Sequence, residues 1–208
     1  MKCMQGFRRQ FGQPRGFWGS LAGVIMAYTN RERNRWVISL LDIKRSNRVL
    51  EIGFGPGLAI ELISKTALDG FIAGIDHSEV MIRQASKRNA EAIRVGRVDL
   101  RLGSVSNLPQ FDEPFDKIIS INSIQFWDNP VESLKGLWNM LKPGGLIAVA
   151  LQPRHPGATE EDVRDAGKEI STFLEKSGFS EIRLETKKMR PVSTVCVIGY
   201  KGTGTTIN

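Results

Sequence analysis

The fold of this chain is decided by residues 49–57, which read Val-Leu-Glu-Ile-Gly-Phe-Gly-Pro-Gly. This apolar run carries an acid, Glu51, directly before a turn with three glycines at alternate positions. Such glycines let the backbone turn tightly and let a ligand approach it closely. Asp76 ends the next apolar run, where its carboxylate can accept both hydroxyl groups of a ribose. The spacing therefore predicts a strand-to-helix loop that holds a ligand with a nucleoside group.

The details of this loop separate two classes of ligand. A dinucleotide loop has the pattern Gly-x-Gly-x-x-Gly, whose backbone N–H groups hold a pyrophosphate at the start of a helix. Leu58 stands here where the third glycine would be, and Pro56 removes one N–H group from the loop. We therefore expect a ligand without phosphates, and an NAD-dependent oxidoreductase is the disfavoured alternative.

Length and composition indicate a single domain. The 208 residues are enough to bury a substantial core. The two cysteines, Cys3 and Cys196, cannot build a disulfide framework, which favours a reducing compartment, the cytoplasm. The two histidines, His77 and His155, show no spacing typical of metal ligands, so we expect no metal site.

Basic charge is concentrated at the N-terminus. The formal net charge is +7, and the whole excess of positive over negative charge comes from residues 1–48. Such an arm can meet nucleic acid, an anionic membrane surface or an acidic substrate, and a solvated basic face on a helical extension is the simpler interpretation. Residues 17–30 carry no charge and are too short to span a membrane. We interpret them as a helix whose apolar face covers the domain, with an interfacial membrane helix as the alternative.

Apolar runs and helical stretches alternate along the rest of the chain. The pattern predicts seven strands, at about 48–52, 71–76, 98–102, 115–121, 146–151, 180–186 and 192–200. Helices are predicted between most of them, one starting at Pro130 and ending near Leu141, and another over about 159–176. This alternation is typical of right-handed crossovers that build a parallel sheet, which predicts an α/β fold.

Four segments together resemble the class I S-adenosylmethionine (SAM)-dependent methyltransferases. They are the glycine loop preceded by Glu51, the run Phe115-Asp-Lys-Ile-Ile-Ser-Ile with Asn122-Ser-Ile-Gln-Phe-Trp-Asp-Asn-Pro130 after it, Leu141-Lys-Pro-Gly-Gly-Leu-Ile-Ala-Val149, and Gly103-Ser-Val-Ser-Asn-Leu-Pro109. The resemblance implies a three-layer sandwich with a seven-stranded, mostly parallel sheet whose last strand is antiparallel. It also implies three regions: a basic helical lid over the active site (1–44), a SAM-binding domain (45–201) and a disordered tail (202–208).

The resemblance further implies roles for individual residues. Glu51 would face the amino group of the methionine part of SAM, and Asp76 would bind the ribose diol. The remaining expected cofactor contacts are the loop glycines and five other positions: Gly53, Gly55, Gly57, Phe54, His77, Ser104, Val105 and Asn122. The family commonly has Asp where this chain has Ser104, whose oxygen is uncharged and on a shorter side chain. We expect this difference to weaken cofactor binding by about 1 kcal/mol.

Methyl transfer from a sulfonium is an in-line displacement that mainly requires orientation and exclusion of water. A base is needed only where the acceptor must lose a proton during attack. The candidates for a catalytic role are His155, in a turn after the fifth strand, and Asn122, expected below the reactive methyl group. Candidates for the substrate pocket are Trp18, Tyr28, Phe126 and Trp127, and core packing is the alternative for the last two.

These observations favour an enzyme that methylates a small molecule with SAM and releases S-adenosylhomocysteine (SAH). Two alternatives keep the cofactor: a methyltransferase for RNA or another macromolecule, held by the basic arm, and a SAM-binding module without catalysis. Many enzymes that methylate amino groups of nucleic acids have Asn-Pro-Pro-Tyr after the fourth strand. This chain has Asn122-Ser-Ile-Gln125 there, which disfavours adenine in DNA or RNA as the substrate.

Overall fold

The computed structural model describes residues 30–203. Residues 30–40 form a helix, α1, which belongs to the predicted lid. The first 29 residues, with Trp18 and Tyr28, and residues 204–208 of the predicted tail lie outside the described residues. The boundaries predicted for the lid and the tail therefore stay predictions.

One sheet of seven strands organises the described part of the chain. The strands are β1 (Arg48–Ile52), β2 (Phe71–Asp76), β3 (Val98–Leu102), β4 (Phe115–Ile121), β5 (Leu141–Leu151), β6 (Ser180–Lys187) and β7 (Thr194–Tyr200). The helices after α1 are α2 (Leu58–Ser64), α3 (Glu79–Arg88), α4 (Ala90–Arg94), α5 (Pro130–Met140) and α6 (Glu160–Lys176), with a short 3₁₀ helix at Ile124–Phe126.

The strand order is β3-β2-β1-β4-β5-β7-β6. Strands β1 to β5 pair in parallel, and β7 is antiparallel to both of its neighbours. The predicted α/β fold, a mostly parallel seven-stranded sheet with an antiparallel last strand, is confirmed. The chain order reverses direction between β1 and β4, and such a reversal opens a crevice at the carboxyl ends of the strands.

Helices cover both faces of the sheet and create two cores. On one face, α5 and α6 bury Leu134, Leu137, Ile170 and Leu174 against the strands. On the other face, helices α1 to α4 contribute a second cluster that includes Val37, Leu41, Ile60, Ile63 and Ala85. The three layers follow from the strands, which are apolar on both faces and must be covered on both.

The most visible departure from the sequence-based prediction is at β5. This strand was expected to begin at residue 146 but begins at Leu141, which pairs with Phe115 before the register shifts. The next pair is Lys117 with Leu146, so the Lys-Pro-Gly-Gly segment forms a bulge within the strand, and Lys142 binds Asp116 at 2.8 Å. Helix α4 was not predicted as a separate element.

Helix α1 presents one face to the sheet. Arg33, Val37 and Leu41 recur at every fourth position, which places them on the same side of a helix. Val37 and Leu41 are fully buried against the sheet. Arg33, one turn before Val37, is 3% exposed, and its side chain reaches the residue that follows β5.

Gly57 sets the distance between α2 and α3. It is the N-cap of α2 with φ of 77°. A Cβ atom on Gly57 would lie 2.6 Å from Ala85 Cβ and 2.7 Å from Asn89 Nδ2. Asn89 Nδ2 also donates to the Gly57 carbonyl at 3.1 Å, so the absence of a side chain lets the two helices approach and bond.

Gly57→Ala should therefore destabilise the protein more than a substitution that only strains the backbone. Gly96 is the matched control, because its φ is +76° and no heavy atom of the described residues lies within 4 Å of its Cβ position. We expect Gly96→Ala to lower the free energy of unfolding by about 1 kcal/mol and Gly57→Ala by about 3 kcal/mol. Urea denaturation measures both, and equal losses would contradict this account of the packing.

Candidate functional site

The loops after β1, β2, β3, β4 and β5 meet at the carboxyl edge of the sheet. Backbone hydrogen bonds continue beyond the strand ends: Gly53 N donates to Ile75 O at 2.8 Å, and Asn122 N donates to Ala150 O at 2.8 Å. These bonds hold the loops in register with the strands. The crevice at the reversal of strand order is therefore lined by backbone whose position is fixed.

The glycine loop closes over this crevice. Gly53 and Gly55 have φ of 72° and 52°, a region that favours glycine. A Cβ atom on Gly53 would overlap Ser123 Oγ, so the loop after β4 can approach only a glycine here. Above Gly55, no heavy atom of residues 30–203 comes within 4 Å of the Cβ position. Gly53 thus serves the packing, and Gly55 faces open space.

Asp76, at the end of β2, fixes the position of the glycine loop by accepting a hydrogen bond from it. Its carboxylate is 6% exposed, and its two oxygens accept from Gly55 N and Ser78 N, each at 2.9 Å. A carboxylate oxygen has a second lone pair, so each can accept a further hydrogen bond from a ligand. His77 beside it is 82% exposed, with Nδ1 at 3.8 Å from Asp76 Oδ1.

Glu51 is a buried acid at the base of the same loop. It is 2% exposed, and its Oε2 atom has no hydrogen-bond partner in the described structure. Burial, with a smaller contribution from the charge of Asp76, raises the pKa of Glu51 to about 8. The carboxyl group is therefore protonated at neutral pH until a cation approaches it.

Ser104 and Val105 lie in the loop after β3, at the same edge of the sheet. Ser104 is exposed, and its Oγ accepts from Ser106 N at 3.2 Å. Asn107 N donates to Ser104 O at 3.0 Å, which closes a turn. Val105 is half-buried against the core. The loop is thus ordered by its own backbone, with the Ser104 side chain at the surface.

Asn122 joins the ends of β4 and β5. Its φ of 53° is left-handed, a region that Asn tolerates. Its Oδ1 atom accepts from Gln152 N at 2.9 Å. This contact gives Asn122 a structural role at the edge of the crevice, and its predicted roles in catalysis and cofactor binding stay predictions.

Two aromatic candidates are core residues. Trp127 is 6% exposed, packs in the cluster with α5, and donates from Nε1 to Ser123 Oγ at 3.0 Å. Its burial favours the alternative of core packing, and its role in the substrate pocket stays a prediction. Phe54 is 3% exposed, and its ring fills the space left by Gly74. Phe126 is 44% exposed and lies beside the crevice, as a pocket residue would.

His155 is engaged at the start of α6. Its Nδ1 atom lies 3.1 Å from Pro156 O, and Nε2 lies 3.6 Å from Asp162 Oδ2. Asp162 belongs to the capping box that Thr159 forms at the start of α6. The predicted role of His155 as a base stays a prediction.

The sequence analysis missed Gln152 and the arginines around it. Gln152 is 2% exposed, and its Nε2 donates to Val192 O at 2.7 Å and Arg190 O at 3.2 Å. Its Oε1 accepts from Arg33 Nη1 at 2.7 Å and from Arg154 Nε and Nη2 at 3.2 Å each. The signal for Arg33 was its place in the apolar stripe of α1, which a count of surface charges overlooks.

Residues 30–203 contain no group of three or more His, Cys, Asp or Glu placed to hold a metal ion. None of the helices in this range is long and apolar enough to cross a membrane.

Comparisons with known proteins agree with this geometry. A sequence model of the methyltransferase domain matches residues 49–145. The uncharacterized methyltransferase YdaC of Bacillus subtilis is 34% identical over 181 residues, 87% of this chain and 98% of YdaC. Erythromycin 3''-O-methyltransferase of Saccharopolyspora erythraea is 30% identical over 148 residues, 69% of this chain but 48% of that longer protein.

Solved structures show the same fold at low sequence identity. The N-methyltransferase NodS from Bradyrhizobium japonicum, in complex with SAH, superposes with a TM-score of 0.66 and 17% identity. The match covers 83% of this chain and 87% of that chain.

The buried Glu51 should make stability depend on pH. Its pKa is about 8 in the folded state against an ordinary 4.5, so the folded protein keeps a proton that the unfolded chain loses. The stability that neutral Glu51 contributes is full below the ordinary pKa and is lost as pH rises through the folded one. The stability of Glu51→Gln, neutral at every pH, relative to the wild type should increase by about 3 kcal/mol of unfolding free energy from about pH 5 to about pH 8.

Urea denaturation at the two pH values measures this gain. The exposed Glu175→Gln is the control and should show no such dependence. A difference between Glu51→Gln and wild type that stays constant across this range would refute the buried, protonated acid.

Proposed function

The chain belongs to the class I SAM-dependent methyltransferases, and we propose that it transfers the methyl group of SAM to a small-molecule acceptor. One observation carries this proposal: Gly55 faces open space, its N–H donates to the buried carboxylate of Asp76, and the buried acid Glu51 lies just before the same loop. A ligand with a cationic group at one end and a diol in the middle suits that arrangement.

The residues of the crevice fit SAM. The unpartnered Oε2 of Glu51 would accept from the amino group of the methionine part, directly or through water. The bare backbone at Gly55 would let the ligand lie against the loop, and the remaining lone pairs of Asp76 would accept the ribose hydroxyls. His77, Ser104 and Val105 would line the adenine end.

SAM supplies a methyl group on a sulfonium that is already activated, so the protein has to hold, orient and shield the reactants. The fixed loops after β1 and β4 would do the orienting, since Gly53 packs against Ser123 and Asn122 is bonded to Gln152. Such positioning alone accounts for large rate enhancements. We therefore propose that the enzyme works mainly by positioning, with His155 as the candidate base for an acceptor that requires one.

The acceptor would bind on the β5 side of the cofactor, beside Phe126. We propose that residues 1–44 cover this side as a lid, with Trp18 and Tyr28 facing the acceptor. A small molecule is supported by the relative whose name states that it methylates erythromycin.

The proposal predicts where a labelled methyl group goes. Wild-type protein is incubated with tritiated SAM and a bacterial cell extract, which is then separated into small molecules, RNA and protein. We expect label in the small-molecule fraction. Asp76→Ala should reduce it at least about tenfold, because the variant loses the ribose acceptor and the bond to Gly55.

Label in the RNA or protein fraction would instead support a macromolecular acceptor. SAH binding without label in any fraction would support a binding module without catalysis. Either result would refute the proposed function.

A further inference from the structure

A buried arginine and a half-buried arginine lie side by side beyond the end of β5. Arg33 comes from α1 and Arg154 from the loop after β5, and their guanidinium groups share the acceptor Oε1 of Gln152. Both also donate to Oδ1 of Asn30. The orientation of the Gln152 amide is determined by its Nε2, which faces the carbonyls of Val192 and Arg190. The shared acceptors are therefore neutral amide oxygens.

No carboxylate balances this pair. Among residues 30–203, the groups that shift the pKa of Arg33 and Arg154 include no acid. Burial and the neighbouring Arg154 lower the pKa of Arg33 to about 9, which leaves it charged at neutral pH. Residues 1–29 and 204–208 contain no Asp or Glu, so no side chain there can supply the missing charge.

A buried charge normally has a partner, because leaving water without one costs several kcal/mol. Arg33 is 3% exposed, and its Nε–H donor has no acceptor among residues 30–203. Two cations and one buried donor without an acceptor thus share one place in the fold. Fixed guanidinium groups of this kind match the paired oxygens of a carboxylate or a phosphate.

The position of the pair relates it to the reaction. Gln152 directly follows β5, and its backbone N–H is bonded to Asn122 at the end of β4. Asp76 ends β2, and Glu51 lies in β1. Both strands are on the other side of the point where the strand order reverses. A ligand held by these two carboxyl groups would leave the β4–β5 side to the second reactant.

We propose that Arg33 and Arg154 form an anion subsite that binds a carboxylate or phosphate group of the methyl acceptor. The acceptor is thus an acidic small molecule. That the bound anion belongs to the methyl acceptor rests on the proposed function, whereas anion binding itself does not. Arg154, in a loop and only partly buried, contacts the anion first, and Arg33 adds its charge and its free donor.

The test uses two probes, trifluoroacetate for a carboxylate and inorganic phosphate for a phosphate. Line broadening of their ¹⁹F and ³¹P signals by the full-length protein is measured at constant ionic strength, with and without SAH. We expect one or both probes to broaden with wild-type protein. Arg154→Ala should reduce the broadening about fivefold, and the exposed Arg164→Ala, which removes the same charge from α6, should leave it unchanged.

A second variant supplies the missing carboxylate from within the chain. Asn30→Asp places an acid where both arginines already donate. It should raise the thermal midpoint and abolish the broadening, because the subsite is then occupied. If the arginine pair were purely structural, Asn30→Asp would raise the thermal midpoint but would leave the broadening of the probe signals unchanged.

The probe that broadens identifies the acidic group of the acceptor. Equal broadening in wild type and Arg154→Ala, or none in wild type, would overturn the subsite. Calorimetry of the same samples with SAH tests the proposed function separately, since anion binding is also read without SAH.

Discussion

The whole site depends on one steric constraint, the absence of a side chain at Gly53. The loop after β1 meets the loop after β4 so closely that a Cβ atom at this position would overlap Ser123 Oγ. Ser123 in turn accepts from Trp127, which anchors the loop in the core between the sheet and α5. Through this contact the packing of the core determines how closely the loops after β1 and β4 approach each other. The ligand-facing Gly55 is then held by Asp76 from the neighbouring strand.

Acidic and basic side chains lie at opposite sides of the crevice. The acids Glu51 and Asp76 are buried at the β1–β2 side, and at the β5 side Arg33 is buried and Arg154 is half-buried. Burying any of these groups without a partner costs free energy, and a ligand would offset that cost by supplying the opposite charge or hydroxyl groups. The fold thus separates a place for a cationic cofactor from a place for an anionic acceptor, with the loop after β4 between them.

Much of this architecture could be predicted from the sequence because it depends on local patterns. Strands β1 to β4 have the predicted bounds, since each is a short run rich in apolar residues that is ended by a turn. The start of β5 was wrong because it depends on the pairing of Leu141 with Phe115, which is distant in the chain. Arg33 was missed for a related reason: its partner Gln152 is 119 residues away in the chain, and only the folded sheet brings the two together.

The most direct test of the account is calorimetric titration of the wild type, Gly55→Ala and Gly96→Ala with SAH and with NAD. Both substitutions strain a left-handed backbone in open space, but only Gly55 faces the proposed ligand. We predict micromolar binding of SAH and none of NAD to the wild type, unchanged SAH affinity in Gly96→Ala, and a loss of at least about tenfold in Gly55→Ala. Equal SAH affinity in all three proteins, or preferential binding of NAD, would contradict the assignment of this loop.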